Sequence, residues 1–87
     1  MRLANYCSDE EWKRIKKLAD TKETPFLVVD LEIIKQKYEE ITNCFPAAKI
    51  HYALKANPGR PVIELLRDLG SNFDIASIYE LDKVLAT

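Results

Sequence analysis

Residues Lys49–Pro58 read KIHYALKANP and alternate as a β-strand does. One predicted face carries His51, Ala53 and Lys55, and the other carries only apolar or aromatic side chains. Strands covered by helices are normally apolar on both faces, so the polar face predicts a cavity wall. A lysine near the carboxyl end of such a strand lies where parallel sheets and barrels place their chemistry, and its amine can form a Schiff base. The alternative is a lysine whose stem packs while its ammonium reaches water.

Length and charge exclude several classes of protein. The chain has 87 residues, enough for one small domain, and its 47% hydrophobic content is ordinary for a globular protein. With 13 basic and 14 acidic residues, the net charge of -1 gives no electrostatic basis for binding nucleic acid or an anionic membrane. No stretch approaches the roughly 20 apolar residues that a membrane helix needs.

The cysteines and the N-terminus indicate a cellular compartment. Cys7 and Cys44 lie far apart and match no metal-site spacing, so we expect free thiols in a cytoplasmic protein and no metal site. The first residues become acidic at once and lack an apolar run. They therefore do not have the pattern of a signal peptide.

The residues before the central strand predict a helix, a strand and a second helix. Ser8 and Glu11 form an S-x-x-E capping box that opens a helix over Asp9–Asp20. A strand follows over Phe26–Val29, and Asp30 can cap the next helix. The apolar stripe of this second helix consists of Leu31, Ile34, Tyr38, Ile41 and Phe45.

The residues after the central strand continue to alternate between helix and strand. Pro61 is predicted at the first position of a helix that ends at Gly70, and a short strand follows over Phe73–Ala76. Ser77 and Glu80 form a second capping box before the last helix. The residues of that helix predicted to face inward are Ile78, Leu81, Val84 and Leu85.

This order of elements predicts an α/β fold of parallel βαβ units. A sheet of three strands leaves part of its apolar faces uncovered. The pattern therefore indicates part of a larger doubly wound sheet or barrel. We expect residues 1–48 to form a helix, a strand and a linking helix, and residues 49–87 to form the first βα units of the barrel. The helix over Ile78–Thr87 has no residues that would end it, so the end of the chain resembles a cut.

Asp74 is a second candidate for chemistry, because it falls on the same kind of strand face as Lys55, one βα unit later. The two side chains could share a cavity wall, or they could form a plain buried ion pair. Glu80 and Ser77 occupy a βα-loop position at the mouth of such a pocket, but the capping box explains them equally well. Asn57 can satisfy turn backbone groups or line the site.

The remaining polar residues argue against other chemistries. His51 lies on the cavity face but deeper than Lys55, and we expect a satisfied histidine at the barrel floor rather than a catalytic one. The chain contains only Gly59 and Gly70, so it has no glycine-rich phosphate loop. A single histidine cannot supply a nucleophile–base triad with this sequence.

Two linked motifs resemble a known family. The first is Tyr52–Asn57, YALKAN, and the second is Gly70–Ser77, GSNFDIAS, followed by Glu80. They resemble the pyridoxal-phosphate-dependent amino-acid decarboxylases of the alanine-racemase-like fold, which include ornithine, lysine, arginine and diaminopimelate decarboxylases. Upstream, Thr24–Asp30 is similar to an opening segment of the family, so the resemblance covers nearly the whole chain. The phrase FDIAS is more similar to the ornithine/lysine branch.

The resemblance implies that this chain is the N-terminal portion of a (β/α)8 barrel of the alanine-racemase type. It also implies pyridoxal 5'-phosphate as the cofactor, bound through an internal aldimine at Lys55. Ala53 would pack near the cofactor, Asp74 would contact the lysine and the cofactor, and Glu80 would lie near the reacting centre. The Phe26–Val29 strand would join a second, all-β domain.

The activity implied by the resemblance is decarboxylation of ornithine, lysine or arginine by a cytoplasmic homodimer. The family also needs a phosphate site, a partner for the pyridine nitrogen and residues from a partner subunit. None of these can be located in the sequence, so we expect the chain alone to be inactive. The alternatives are a diaminopimelate decarboxylase, a racemase or pyridoxal-phosphate carrier with the same lysine strand, and a βα fragment that only self-associates.

Overall fold

The fold is described from a computed structural model, which covers residues 8–87. Residues 1–7, which include Cys7 and the start of the stretch that argues against a signal peptide, lie outside the described residues. The elements in chain order are α1 (Asp9–Ala19), α2 (Leu31–Cys44), β1 (His51–Ala53), a 3₁₀ turn (Leu54–Ala56), α3 (Arg60–Asp68), β2 (Asn72–Asp74) and α4 (Ile78–Leu85).

Helices α1 and α2 begin where their capping residues predict. The Ser8 hydroxyl accepts a hydrogen bond from the Glu11 amide at 3.2 Å, and the Glu11 carboxylate accepts one from the Ser8 amide at 3.3 Å. The predicted capping box is therefore confirmed. Asp30 caps α2 as predicted, because its carboxylate accepts hydrogen bonds from the amides of Glu32 and Ile33 at 3.0 and 3.4 Å.

Helix α3 begins one residue earlier than predicted and ends as predicted. Arg60 is its first residue, so Pro61 occupies the second position, where its missing amide hydrogen is equally harmless. Gly70 has a φ of 90°, the left-handed conformation that closes helices. The Ser71 amide then donates to the carbonyl of Leu66 at 2.9 Å, which satisfies an otherwise free helix carbonyl.

Strands β1 and β2 form a parallel two-stranded sheet with α3 as the crossover, so the predicted βαβ unit is confirmed. The register pairs His51 with Asn72, Tyr52 with Phe73 and Ala53 with Asp74. Paired residues share a face, so Tyr52 and Phe73 lie on one side and are half-buried, while His51, Asn72 and Asp74 lie on the other and are exposed. Strand β2 begins and ends slightly before the predicted Phe73–Ala76 range.

Two strand predictions need correction. No strand forms over Phe26–Val29, because the only strand ladder among residues 8–87 joins β1 to β2, and a strand requires a hydrogen-bonded neighbour. The β-branched and aromatic side chains predicted a strand here from propensity alone. The central strand is shorter than predicted, since it ends at Ala53 and continues as a 3₁₀ turn. Alternation misses this because Leu54 is buried and Lys55 exposed, as in a strand.

The buried core of the described residues is small and lies where α3 meets the end of β1. Its members are Leu54, Val62, Ile63 and Leu66. Helix α2 also contacts α3, yet none of its residues is buried, so the predicted stripe is only partly covered. The inward prediction for α4 is wrong for Ile78, Leu81 and Leu85, which are 62%, 36% and 71% exposed.

Candidate functional site

The candidate site residues lie at one edge of the small sheet. Because β1 and β2 run parallel and in register, their carboxyl ends meet at the same edge, after Ala53 and Asp74. Lys55 follows the end of β1, and Glu80 lies in the first turn of α4, which follows β2. Parallel sheets and barrels place their chemistry at this edge.

Lys55 lies in the 3₁₀ turn rather than on the strand. Its neighbour Leu54 is 0% exposed and fixes one side of the turn in the core, while Lys55 is exposed. An exposed primary amine is accessible to a carbonyl compound. The same exposure fits the alternative of a lysine that reaches water, so the catalytic role of Lys55 remains a prediction.

Ala53 and Asp74 are neighbours across the sheet. Asp74 is exposed, and the ion pairs among residues 8–87 do not include Asp74 or Lys55. The structure therefore excludes the alternative of a buried ion pair between these two residues in this part of the chain. Ala53 itself is half-buried beside the exposed Asp74.

Glu80 and Ser77 order the start of α4, but the second capping box is only half formed. The Ser77 hydroxyl accepts from the Glu80 amide at 3.2 Å. The Glu80 carboxylate, however, accepts from the Ala76 amide at 2.7 Å, one residue before the predicted partner. Oε1 of Glu80 therefore has a structural role. The other carboxylate oxygen of Glu80 forms no hydrogen bond within residues 8–87.

His51 is not the buried, satisfied histidine that the sequence predicts. It is exposed and lies beside Asn72 on the open face of the sheet. The prediction assumed a closed barrel floor, and within the described residues only one neighbouring strand stands beside β1.

The sequence did not predict the pair of hydrogen bonds that surrounds the 3₁₀ turn carrying Lys55. The Tyr52 hydroxyl donates to the carbonyl oxygen of Asn57 at 3.0 Å, and the Asn57 side-chain oxygen accepts from the Gly59 amide at 2.9 Å. The second bond confirms that Asn57 satisfies turn backbone groups. The first spans the turn from strand to loop, a contact that no local sequence rule describes. Burial raises the pKa of Tyr52 above its ordinary value of 10.0, which keeps the hydroxyl protonated.

Two clefts on the described surface lie away from these residues. One of about 330 Å³ lies between α1 and residues 28–31, and one of about 320 Å³ lies between α3 and α4. Lys55, Asp74 and Glu80 line neither of them. Within residues 8–87, no cluster of histidine, cysteine and carboxylate side chains could hold a metal ion, and no helix is long and apolar enough to cross a membrane.

The sequence pattern of one family matches most of the chain. The family is described as pyridoxal-dependent decarboxylase, pyridoxal binding domain, and the match covers residues 31–87. The chain belongs to this family. Its members use pyridoxal phosphate, so the predicted cofactor is confirmed for the family.

Relatives of known activity agree with this assignment. The chain is 41% identical to the lysine/ornithine decarboxylase of Selenomonas ruminantium over 80% of its length, and 42% identical to the diaminopimelate decarboxylase of Aquifex aeolicus over 77%. The crystal structure of lysine decarboxylase from Selenomonas ruminantium matches 92% of the chain with a TM-score of 0.80 and 38% identity. The predicted fold class, the N-terminal portion of an alanine-racemase-type barrel, is confirmed by this match.

The chain spans only a small part of these relatives. It covers 18% of the lysine/ornithine decarboxylase, 16% of the diaminopimelate decarboxylase and 21% of the lysine decarboxylase structure. The predicted division at residue 48 stays a prediction, and so do the individual roles of Lys55, Ala53, Asp74 and Glu80.

The residues at the sheet edge fit one part of pyridoxal phosphate. The exposed side chain of Lys55 carries the primary amine that suits its aldehyde, and the exposed Asp74 lies at the same end of the sheet. The described residues offer no comparable site for the phosphate group, because both glycines of the chain have other structural roles. Gly59 caps α3 and Gly70 closes it, and neither belongs to a glycine-rich loop. The described residues thus fit the reactive end of the cofactor.

Proposed function

We propose that this protein is part of an enzyme that releases CO₂ from a basic amino acid, with pyridoxal phosphate held by Lys55. The exposed amine of Lys55, at the edge where β1 and β2 both end, is the observation that carries this proposal. Support also comes from the pyridoxal-binding-domain match, which includes the whole of this edge. The substrate, the catalytic roles and the activity of the whole protein are part of the proposal.

Each residue of the edge has a proposed task. When bound, pyridoxal phosphate supplies an electron sink for the electron pair left on the α-carbon as CO₂ leaves. Lys55 would contribute the primary amine that holds the cofactor, and the exposed carboxylate of Asp74 would be available to that amine as a charged hydrogen-bond acceptor. Ala53 would pack near the cofactor. Glu80 uses Oε1 to order α4 and presents its second oxygen to the reacting centre.

The proposed substrate class is a basic amino acid: ornithine, lysine or arginine. The names of the relatives support this choice, since one acts on lysine and ornithine and another, from Saccharomyces cerevisiae, on ornithine. Diaminopimelate is the alternative, supported by relatives named as diaminopimelate decarboxylases. All these amino acids carry a second basic nitrogen group, which is an amino group in ornithine, lysine and diaminopimelate and a guanidinium group in arginine. We propose that the enzyme distinguishes them through residues outside the described edge.

The test is release of labelled CO₂ by the intact protein from carboxyl-labelled ornithine, lysine, arginine and diaminopimelate. We expect release from one of the three basic amino acids, and a loss of roughly a thousandfold or more in Lys55→Arg, which keeps the charge but cannot hold the cofactor. Lys49→Arg is the matched control, because Lys49 is also exposed and lies just before β1. Equal activity of the two variants would contradict the assignment of Lys55.

The same assay separates the alternatives. Release from diaminopimelate alone would identify a diaminopimelate decarboxylase. Racemisation of an amino acid without CO₂ release would identify a racemase. Cofactor binding with neither reaction would identify a carrier. We propose that residues 1–87 by themselves release no CO₂, because the chain carries no glycine-rich phosphate loop.

The assembly and location are proposed on the same family basis. We propose a cytoplasmic homodimer that binds a small amino acid and neither nucleic acid nor membrane. The net charge of -1 supports the last point, since it provides no attraction to phosphate-rich surfaces.

A second candidate function is self-association without activity. The exposed apolar side chains of α4 favour it, because Ile78, Tyr79 and Leu85 are 62%, 76% and 71% exposed. In this case a second copy of the chain would cover these side chains. Concentration-dependent sedimentation together with no selective labelling of Lys55 would support this candidate over the enzyme.

A further inference from the structure

The backbone that carries Lys55 is held from both sides. Residues 54–56 form a single 3₁₀ turn, here called the lysine turn. On one side, Leu54 is completely buried in the core. On the other, the Tyr52 hydroxyl reaches across the turn to the carbonyl of Asn57, and the Asn57 side chain holds the Gly59 amide. These two hydrogen bonds are here called the brace.

The lysine turn has little else to stabilise it. Short 3₁₀ segments have poor hydrogen-bond geometry, and Ala53, the residue before this one, provides no side-chain cap. Lys55 and Ala56 are both exposed, so their own side chains contribute little packing. The residues on either side of the turn must therefore fix the position of the Lys55 backbone.

We propose that Tyr52 and Asn57 are positioning residues that hold the lysine turn in the conformation from which the Lys55 amine captures pyridoxal phosphate. The inference rests on the proposed function, because it requires Lys55 to hold the cofactor. Fixing a nucleophile in its reactive geometry removes conformational entropy from the reacting state in advance. Neither residue touches the reacting atoms in this role.

Burial favours the brace. Tyr52 is half-buried on the covered face of the sheet, whereas Lys55 is exposed, so the ring is anchored while its hydroxyl spans the turn. A hydrogen bond shielded in this way is costly to lose, because the freed Asn57 carbonyl must find another donor. Asn57 adds an i to i+2 side-chain bond that shapes the loop before α3.

The test measures reductive trapping of pyridoxal phosphate by the intact protein. Borohydride fixes the adduct, and peptide mass mapping gives the initial rate of labelling at Lys55 relative to exposed Lys49 in the same molecule. For Tyr52→Phe we expect this ratio to fall roughly threefold to tenfold, the effect of one hydrogen bond of this kind. Tyr79→Phe is the matched control, since Tyr79 is 76% exposed and its hydroxyl forms no hydrogen bond within residues 8–87.

Asn57 provides a rescue experiment that a general packing role would not pass. Asn57→Ala removes the oxygen that accepts from the Gly59 amide, and Asn57→Asp retains it. We expect the alanine variant to lower the labelling ratio and the aspartate variant to restore it. In the absence of cofactor, the Gly59 amide should exchange its hydrogen faster in Asn57→Ala than in the wild type, and at the wild-type rate in Asn57→Asp. The exchange measurement does not depend on cofactor. Because it uses the Asn57 variants, it can still be made if Tyr52→Phe does not fold.

The outcomes separate the two proposals. If the wild-type protein labels Lys55 no faster than Lys49, the proposed function fails, whatever the exchange data show. If wild-type Lys55 labels selectively but Tyr52→Phe and Asn57→Ala keep the same ratio, the brace is overturned while the proposed function stands. A lowered ratio with restoration by Asn57→Asp supports both.

Discussion

Among single residues, Tyr52 offers a prediction about pH. Burial raises its pKa above the ordinary value of 10.0, so the folded chain holds this proton more tightly than the unfolded chain. Its contribution to stability is therefore complete below about pH 10 and declines as the pH rises through the folded-state pKa. We expect the difference in unfolding free energy between wild type and Tyr52→Phe to stay constant up to about pH 10 and to shrink at higher pH. Urea unfolding of the intact protein measures it, and an unchanged difference would contradict the assignment.

The single residues that the sequence predicted best are those whose partners lie within a few positions. Ser8 with Glu11, Asp30 as a cap and Asn57 as a turn residue all bond two or three residues away. Tyr52 reaches five residues along the chain, beyond any capping or turn rule. His51 was predicted as buried because its surroundings were assumed to be complete, whereas its environment depends on neighbours outside the strand itself.

Among the elements, helix α3 offers a backbone prediction through Gly70. A side chain at this position would meet no atom within 4 Å, so a substitution acts only through the φ of 90°. We expect Gly70→Ala to lower the unfolding free energy by about 1 to 2 kcal/mol. Gly70→Asn should lose less, since asparagine tolerates left-handed backbone better. Equal losses for both variants in urea unfolding would show that side-chain contacts, rather than the backbone, decide the effect.

Helices were predicted better than strands for a physical reason. A helix satisfies its own hydrogen bonds, so the caps at Ser8 and Asp30 locate α1 and α2 without further information. A strand needs a partner. Strands β1 and β2 pair with each other and were found, while Phe26–Val29 has no paired strand among residues 8–87. The capping box of Ser77 and Glu80 differs from its prediction, because the Glu80 carboxylate accepts from the Ala76 amide and not from the Ser77 amide.

For the molecule as a whole, the exposed apolar surface predicts self-association of the 87-residue chain. We expect its sedimentation coefficient to rise with concentration, because Ile78, Tyr79 and Leu85 on α4 can be buried against a second copy. Leu85→Glu should weaken this association. Lys83→Gln is the matched control, since it changes the charge by the same amount on the same helix without removing apolar surface. A chain that stays monomeric at every concentration would contradict this expectation.

The order and pairing of the elements could be predicted from the sequence, but the burial of the apolar helix faces could not. The alternation of helices and strands predicted parallel βαβ units, and the structural match confirms them. Helical spacing also predicted inward faces for α2 and α4, yet their apolar side chains are largely uncovered. A period in the sequence shows which side of a helix is apolar, and only the surrounding elements determine whether that side is buried.

The central claim, that Lys55 holds the cofactor, is tested most directly by locating bound pyridoxal phosphate. The intact protein is mixed with pyridoxal phosphate, reduced with borohydride and digested, and the adduct is mapped by mass spectrometry. We expect the label in the peptide that contains Lys55, and its loss from that peptide in Lys55→Arg. Label spread evenly over exposed lysines such as Lys49, or unchanged in the variant, would contradict the claim.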